Sequence, residues 1–377
     1  MSRPTSSVPL RGAPLRRKTR FAGVLASAVL VLATAACGSD SDSDADNAAG
    51  AAPGGASAAS QGANGNPAAA PAYPVTLDHK YGSTTVKGEP KRVVTVGLTD
   101  QDALLALGVV PVGTTEWIEG FPGNVGPWAK DKVGSKELPK VLKDPGTGPD
   151  FENIAKLQPD LILGLYSGLT EDQYKTLSKI APTVAQPKGY NDFGIPWQEL
   201  TKSVGKVLGK SAEADALVKG VEDKFAQAAA AHPEFKDRTA LMATVYEGQF
   251  VFGSQDPRSR ILTSLGFKLP PDLDSVIGDQ FGANISPERA DLLDRDVMVW
   301  TVANVDADRG SLHANKLYSD QNVVKQGREV YILETSDYGS ATAFVSPLSL
   351  PYVLDRLVPQ LVAAVDGDPA TEVKPAT

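Results

Sequence analysis

Two carboxylates stand in matching local frames. Glu152 lies eight residues before Asp160, and Glu288 lies eight residues before Asp296. Each glutamate follows a cap residue, Asp150 in one copy and Ser286 in the other, and Pro287 suits the first helical position. One glutamate in a first helical turn ordinarily offsets the helix dipole, worth about 0.3–1 kcal/mol. Two in the same frame are more suggestive of a shared role than one. Other reactive side chains are sparse. The chain has one cysteine, Cys37, and three dispersed histidines, His79, His232 and His313. Such a set builds neither an internal disulfide nor a multi-cysteine zinc site, and it disfavours an imidazole-rich site for a bare transition metal.

The elements that carry the two glutamates read as two similar halves. After each short helix comes an aspartate and then an unbroken apolar run, Leu161 to Leu165 and Val297 to Val302, the mark of a strand buried on both faces. The expected fold class is α/β, with two lobes and one long helix between them. The first lobe covers 75–210. It has a hairpin over 73–90, strands at 92–97, 109–114 and 161–165, and helices at 102–107, 170–180 and 197–208. The second lobe covers 233–366, with strands at 239–246, 250–252, 296–302 and 330–333 and a closing helix over 348–365. Residues 211–232 are the linker helix. Its positions Ala214, Leu217, Val218, Val221, Phe225, Ala228 and Ala229 make one apolar stripe. The preceding Gly205-Lys206-Val207-Leu208-Gly209-Lys210-Ser211 resembles a phosphate loop but has three residues between its glycines and follows a helix, so it reads as a stop and a new cap. Residues 367–377 are expected to be a disordered tail.

Ahead of the lobes, 1–36 has the plan of an export signal: basic residues, a short apolar middle, and small residues at the cut. It resembles a bacterial lipoprotein signal with Cys37 as the acylated residue, although Thr34 stands where leucine is usual. Residues 37–74, rich in Ser, Asp, Ala, Gly and Pro, then form a disordered tether spanning roughly 30–35 Å. The expected location is extracytoplasmic, lipid-anchored to the outer face of the cell membrane. The 377-residue chain has net charge −8, and its first 36 residues hold six basic and no acidic groups, so the remainder carries −14. That excess argues against nucleic acid, whose binding needs phosphate neutralisation.

Taken together, residues 75–366 resemble the ferric-siderophore-binding lipoproteins of bacterial ABC importers, a group shared with vitamin B12 and haem binders. The resemblance rests on Lys91-Arg92-Val93-Val94-Thr95-Val96-Gly97, on Asp102-Ala103-Leu104-Leu105-Ala106-Leu107-Gly108-Val109-Val110-Pro111-Val112-Gly113, on Phe151 to Leu163, and on Ser286-Pro287-Glu288-Arg289. It implies an α/β fold of two Rossmann-like lobes joined by one long helix, with a ligand cleft between the lobes, and it implies that Glu152 and Glu288 dock on arginines of the membrane permease. It implies a monomeric carrier, without catalysis or cofactor, whose ligand is a ferric siderophore. Because the siderophore already surrounds the iron, the protein meets an organic shell and needs aromatic surface and a few cations. Trp117, Phe121, Tyr166, Tyr246, Trp300 and Tyr338 are the aromatic candidates, with Arg258 and Arg260 for negative charge; each is equally compatible with a structural role. Haem or a corrinoid is the alternative ligand, with His313 or Tyr246 as an axial group. An extracellular hydrolase is the remote alternative, for which the sequence offers no Gly-x-Ser-x-Gly elbow.

Overall fold

Each apolar run becomes a strand, and the strands sort into two sheets. A computed structural model of the chain describes residues 73–144 and 147–376. The predicted leader, Cys37 and the tether up to residue 72 lie outside the described residues. The hairpin of β1 (Val75–His79) and β2 (Gly82–Val86) comes first. The first lobe's sheet contains β3 (Val93–Thr95), β4 (Gly113–Thr115), β5 (Lys140–Leu142), β6 (Leu161–Gly164) and β7 (Thr183–Ala185). Its order is β5-β4-β3-β6-β7, all parallel. The second sheet contains β8 (Ala240–Val245), β9 (Gln249–Phe252), β10 (Gly282–Ile285), β11 (Val297–Val302) and β12 (Glu329–Leu333). Its order is β10-β9-β8-β11-β12, with β8, β11 and β12 parallel and β9 and β10 antiparallel. β6 and β11 are buried along their whole length, as strands covered on both faces must be.

The sequence echo is a real structural equivalence. The Asp160 carboxylate accepts the backbone N–H groups of Lys91 (2.7 Å) and Arg92 (2.9 Å), immediately before β3. Asp296 accepts the N–H (2.8 Å) and hydroxyl (2.9 Å) of Thr239, immediately before β8. In each lobe the aspartate thus ties the start of its own strand to the lobe's first parallel strand, beside which it runs. The two copies differ in their helices. Asp150 caps an α-helix, Phe151–Lys156, through the Asn153 N–H. Pro287–Leu293 is a 3₁₀ segment, and the Ser286 side chain makes no capping bond there.

The linker helix spans Ser211–Ala231. Its buried stripe serves both halves: Ala214 packs in the first lobe's core, while Val218, Val221 and Phe225 pack in the second's. Close packing explains the glycine before it. A Cβ on Gly205 would fall 2.3 Å from the Ala214 Cβ, so the helix Trp197–Val207 approaches the linker only without a side chain there.

Two strands go unread in the sequence, and one expectation changes. The short strand β5, an edge strand with one fully buried residue, carries too little apolar signal to read. β10 is likewise missed, because its burial alternates poorly along four residues. Residues 367–376 are also not a free tail: Val373 and Ala376 pack on the second lobe's core, and the Gln360 amide donates to the Lys374 carbonyl (3.0 Å).

Candidate functional site

The site lies where the strand ends of the two lobes face each other, the usual place for ligands in open α/β sheets. On the first lobe, β6 ends at Gly164 and the chain turns. The buried Asp100 carboxylate accepts the N–H groups of Leu165 (2.7 Å) and Tyr166 (3.0 Å) and fixes that turn. Trp117 and Phe121 come from the loop after β4. Its self-packing is genuine, with Phe121 edge-on to Trp128 at 5.7 Å, but the loop also reaches across to Phe344 of the second lobe. Phe344 ends the helix Asp337–Phe344, which lies tight against β12: a Cβ on Gly339 would sit 2.1 Å from the Leu333 carbonyl oxygen.

These rings join into one belt that crosses between lobes twice. Phe344 lies 5.3 Å from Trp117, Trp117 6.0 Å from Tyr166, and Tyr166 5.6 Å from Phe193. Phe193 meets Phe281 at 6.3 Å, Phe281 meets Phe250 at 5.6 Å, and Phe250 meets Phe252 at 5.6 Å. Such separations suit edge-to-face and tilted ring pairs. Trp117, Phe121, Phe193 and Phe250 are half-buried, and Phe281 is exposed. At the end of the belt the Arg258 guanidinium lies 3.6 Å above the Phe252 ring.

Arg258 and Arg260 start the helix Pro257–Ser264, capped by Asp256. Asp256, fully buried, accepts from the Arg258 backbone N–H and grips its side chain through Nε–Oδ1 (2.8 Å) and Nη2–Oδ2 (2.7 Å). Burial works against the Arg258 charge, but Asp256 outweighs it and raises the guanidinium pKa. Burial lowers that of Arg260, whose Nη1 donates to the Gly194 carbonyl across the lobes at 2.8 Å. Burial, with the nearby Asp256 charge, pushes the Tyr166 phenol well up, so it stays neutral.

A second cross-lobe junction flanks the belt. The buried Asp102 carboxylate accepts from the Trp128 indole (2.8 Å) and from the hydroxyl of Ser346 in the second lobe. Burial raises its pKa to about 6, and Asp100 is likewise raised to about 6.

Two sequence candidates are corrected. Trp300 is a core residue: it is fully buried in the second lobe, and its indole donates to the Tyr318 hydroxyl (2.8 Å). Tyr338 is buried too, with its hydroxyl on Gln360 (2.9 Å). Both stand near strand ends in sequence, yet their side chains point into packed layers. Tyr246, one residue past β8, is half-buried, and its N–H donates to Gly248 (3.0 Å). His313 is engaged by Glu329 (2.8 Å) at the start of β12, the strand end opposite Glu334. Sequence reasoning missed Phe193, Phe250, Phe281 and Phe344; an aromatic beside glycine in the loops 189–194 and 281–282 was the available signal. Glu152 and Glu288 are both exposed. Glu152 holds Lys156 at 2.6 Å, while hydrogen bonds from Ser286 and from its own N–H lower the Glu288 pKa and keep it anionic.

A groove of about 660 Å³, which shares Arg260 with the cleft, lies between the helix Trp197–Val207, the linker helix and the helix Pro257–Ser264. Its size is that of a ligand pocket. Its rim mixes Glu199, Lys202, Lys206 and Glu222, whereas the belt offers convergent aromatic surface at the strand ends, so the belt is the stronger candidate.

A model of the periplasmic binding protein family matches residues 93–335. The chain belongs to that family. A periplasmic solute binding protein from Mycobacterium smegmatis is 36% identical, with a TM-score of 0.66 over 78% of this chain and 99% of that one. The iron uptake ABC transporter substrate-binding protein PiaA from Streptococcus pneumoniae is 30% identical, with a TM-score of 0.68 over 78% of this chain and 100% of its own, and PiaA has also been solved in complex with ferrichrome. The putative ABC transporter substrate-binding lipoprotein YhfQ of Bacillus subtilis is 25% identical over 69% of this chain and 81% of its own length. The two-lobed architecture of this periplasmic binding protein is therefore shared with carriers of iron complexes.

Proposed function

We propose that this periplasmic binding protein captures a ferric siderophore and delivers it to an ABC permease, as a monomeric carrier held to the membrane by a lipid on Cys37. The observation that carries the reading is the aromatic belt with Arg258 and Arg260 at the cleft. Among the described residues no three His, Cys, Asp or Glu side chains come together to hold a bare cation, so the iron arrives inside its own organic ligand. Trp117, Phe121 and the arginines meet that shell; Tyr166, as buried as Tyr338, backs Trp117 from the first lobe's core. Half-buried rings that lose water on binding contribute about 25 cal/mol per Å² of apolar surface.

Glu152 and Glu288 are the permease contacts. The exposed Glu152–Lys156 pair is worth only ~0–1 kcal/mol, so it yields to an arginine at little cost. A tryptophan-fluorescence titration with ferrichrome, ferric enterobactin, haem and cobalamin tests the ligand class. Saturable quenching by a ferric siderophore is expected; a response to haem or cobalamin alone would replace the siderophore reading.

A further inference from the structure

The charges at the cleft cancel. Arg258 is committed to Asp256 by a bidentate pair, and one face of its guanidinium is covered by Phe252. Glu334, exposed at the end of β12 and held by the Thr244 hydroxyl at 2.8 Å, adds a second negative charge that is felt at Arg258. Arg260 has one donor on Gly194. Two guanidinium groups are thus set against two carboxylates, and they adjoin the rings of the belt and the neutral Asn191–Gln255 contact (3.0 Å). A polyanion entering this cleft would give up hydration without meeting a surplus cation, which is costly in a partly dry site. An uncharged complex would lose little hydration and would gain the full aromatic contact.

Resting on the siderophore reading, we propose that the cleft selects ferric complexes without net negative charge, and that Asp256 sets this preference by neutralising and orienting Arg258. The fitting class is the trihydroxamate, in which three monoanionic groups balance the ferric ion. The excluded class is the tris-catecholate, which remains a trianion.

The test is a titration of the folded protein with ferrichrome and ferric enterobactin at fixed ionic strength, followed by tryptophan fluorescence. The wild type is expected to favour ferrichrome by about tenfold or more. Asp256→Asn keeps a good helix cap while freeing Arg258, and should move the ratio of the two affinities about tenfold toward the anion. Exposed Glu334→Gln should shift it in the same direction, and higher salt should shrink both shifts. A merely structural role for Asp256 would weaken both ligands alike and leave the ratio in place. A wild type that prefers ferric enterobactin, or a ratio unmoved in both variants, overturns the proposal while leaving siderophore binding intact. If neither ferric complex binds, the siderophore reading falls and this one with it.

Discussion

Burial decides what a single side chain does here. Trp300 and Trp117 are the same residue type near strand ends, yet one is sealed under the second lobe's sheet and the other is half-exposed between lobes. Trp300→Ala should cost about 3–5 kcal/mol of stability, since it opens a cavity in the second lobe's core; the Tyr318 hydroxyl keeps its bond to Glu329 (2.6 Å). Trp117→Ala should leave the denaturant midpoint nearly unchanged and weaken ligand binding. A Trp300 variant of normal stability would contradict the core assignment. Asp102 gives a pH dependence. Its pKa is about 6 in the folded protein against the usual 3.8, so the folded state holds the proton more tightly than the unfolded chain. The stability that this proton confers is fully present below about pH 4 and is lost as pH rises through about 6. The loss is up to roughly 3 kcal/mol for Asp102. Urea unfolding between pH 4 and 7 should show the decline, and Asp102→Asn should remove its share while leaving that of Asp100, which is likewise raised to about 6.

At the level of elements, the repeated aspartates do the same job. Asp160→Ala and Asp296→Ala each release strand-start N–H groups, exposed at Asp160 and half-buried at Asp296, and should destabilise by about 0.5–1.5 kcal/mol apiece, with Asp296→Ala at the upper end because Arg238 also reaches its carboxylate at 3.2 Å. Circular dichroism melts of the pair would check this. The long elements were legible because their signals are local. The linker's stripe has the helical period, and β6 and β11 are continuous apolar runs. The short elements were not. β5 has three residues, and the segment after Ser286 winds as 3₁₀ despite a sequence that also suits an α-helix, because a capping bond and a few dihedrals separate the two.

At the scale of the molecule, one helix with its stripe shared between two cores holds the lobes as a unit. Phe225→Ala should cost about 3–5 kcal/mol, lowering the melting temperature. Glu152 and Glu288 are exposed, and their proposed docking role is testable apart from stability. Glu152→Ala combined with Glu288→Ala should preserve siderophore affinity and abolish uptake by cells; uptake at the wild-type rate would remove the docking role. What the chain determined by itself was everything encoded at short range: the paired Glu and Asp frames, the buried runs, the helical stripe, and the sparse Cys and His. Those depend on caps, periods and composition, which neighbours in sequence carry. Which aromatics face the cleft was decided only in three dimensions. Phe121, Phe193, Phe281 and Phe344 come from four separate loops or helix ends, and they meet because the lobes fold and face each other. Likewise the reach of Arg260 to the Gly194 carbonyl of the other lobe exists only in the folded chain.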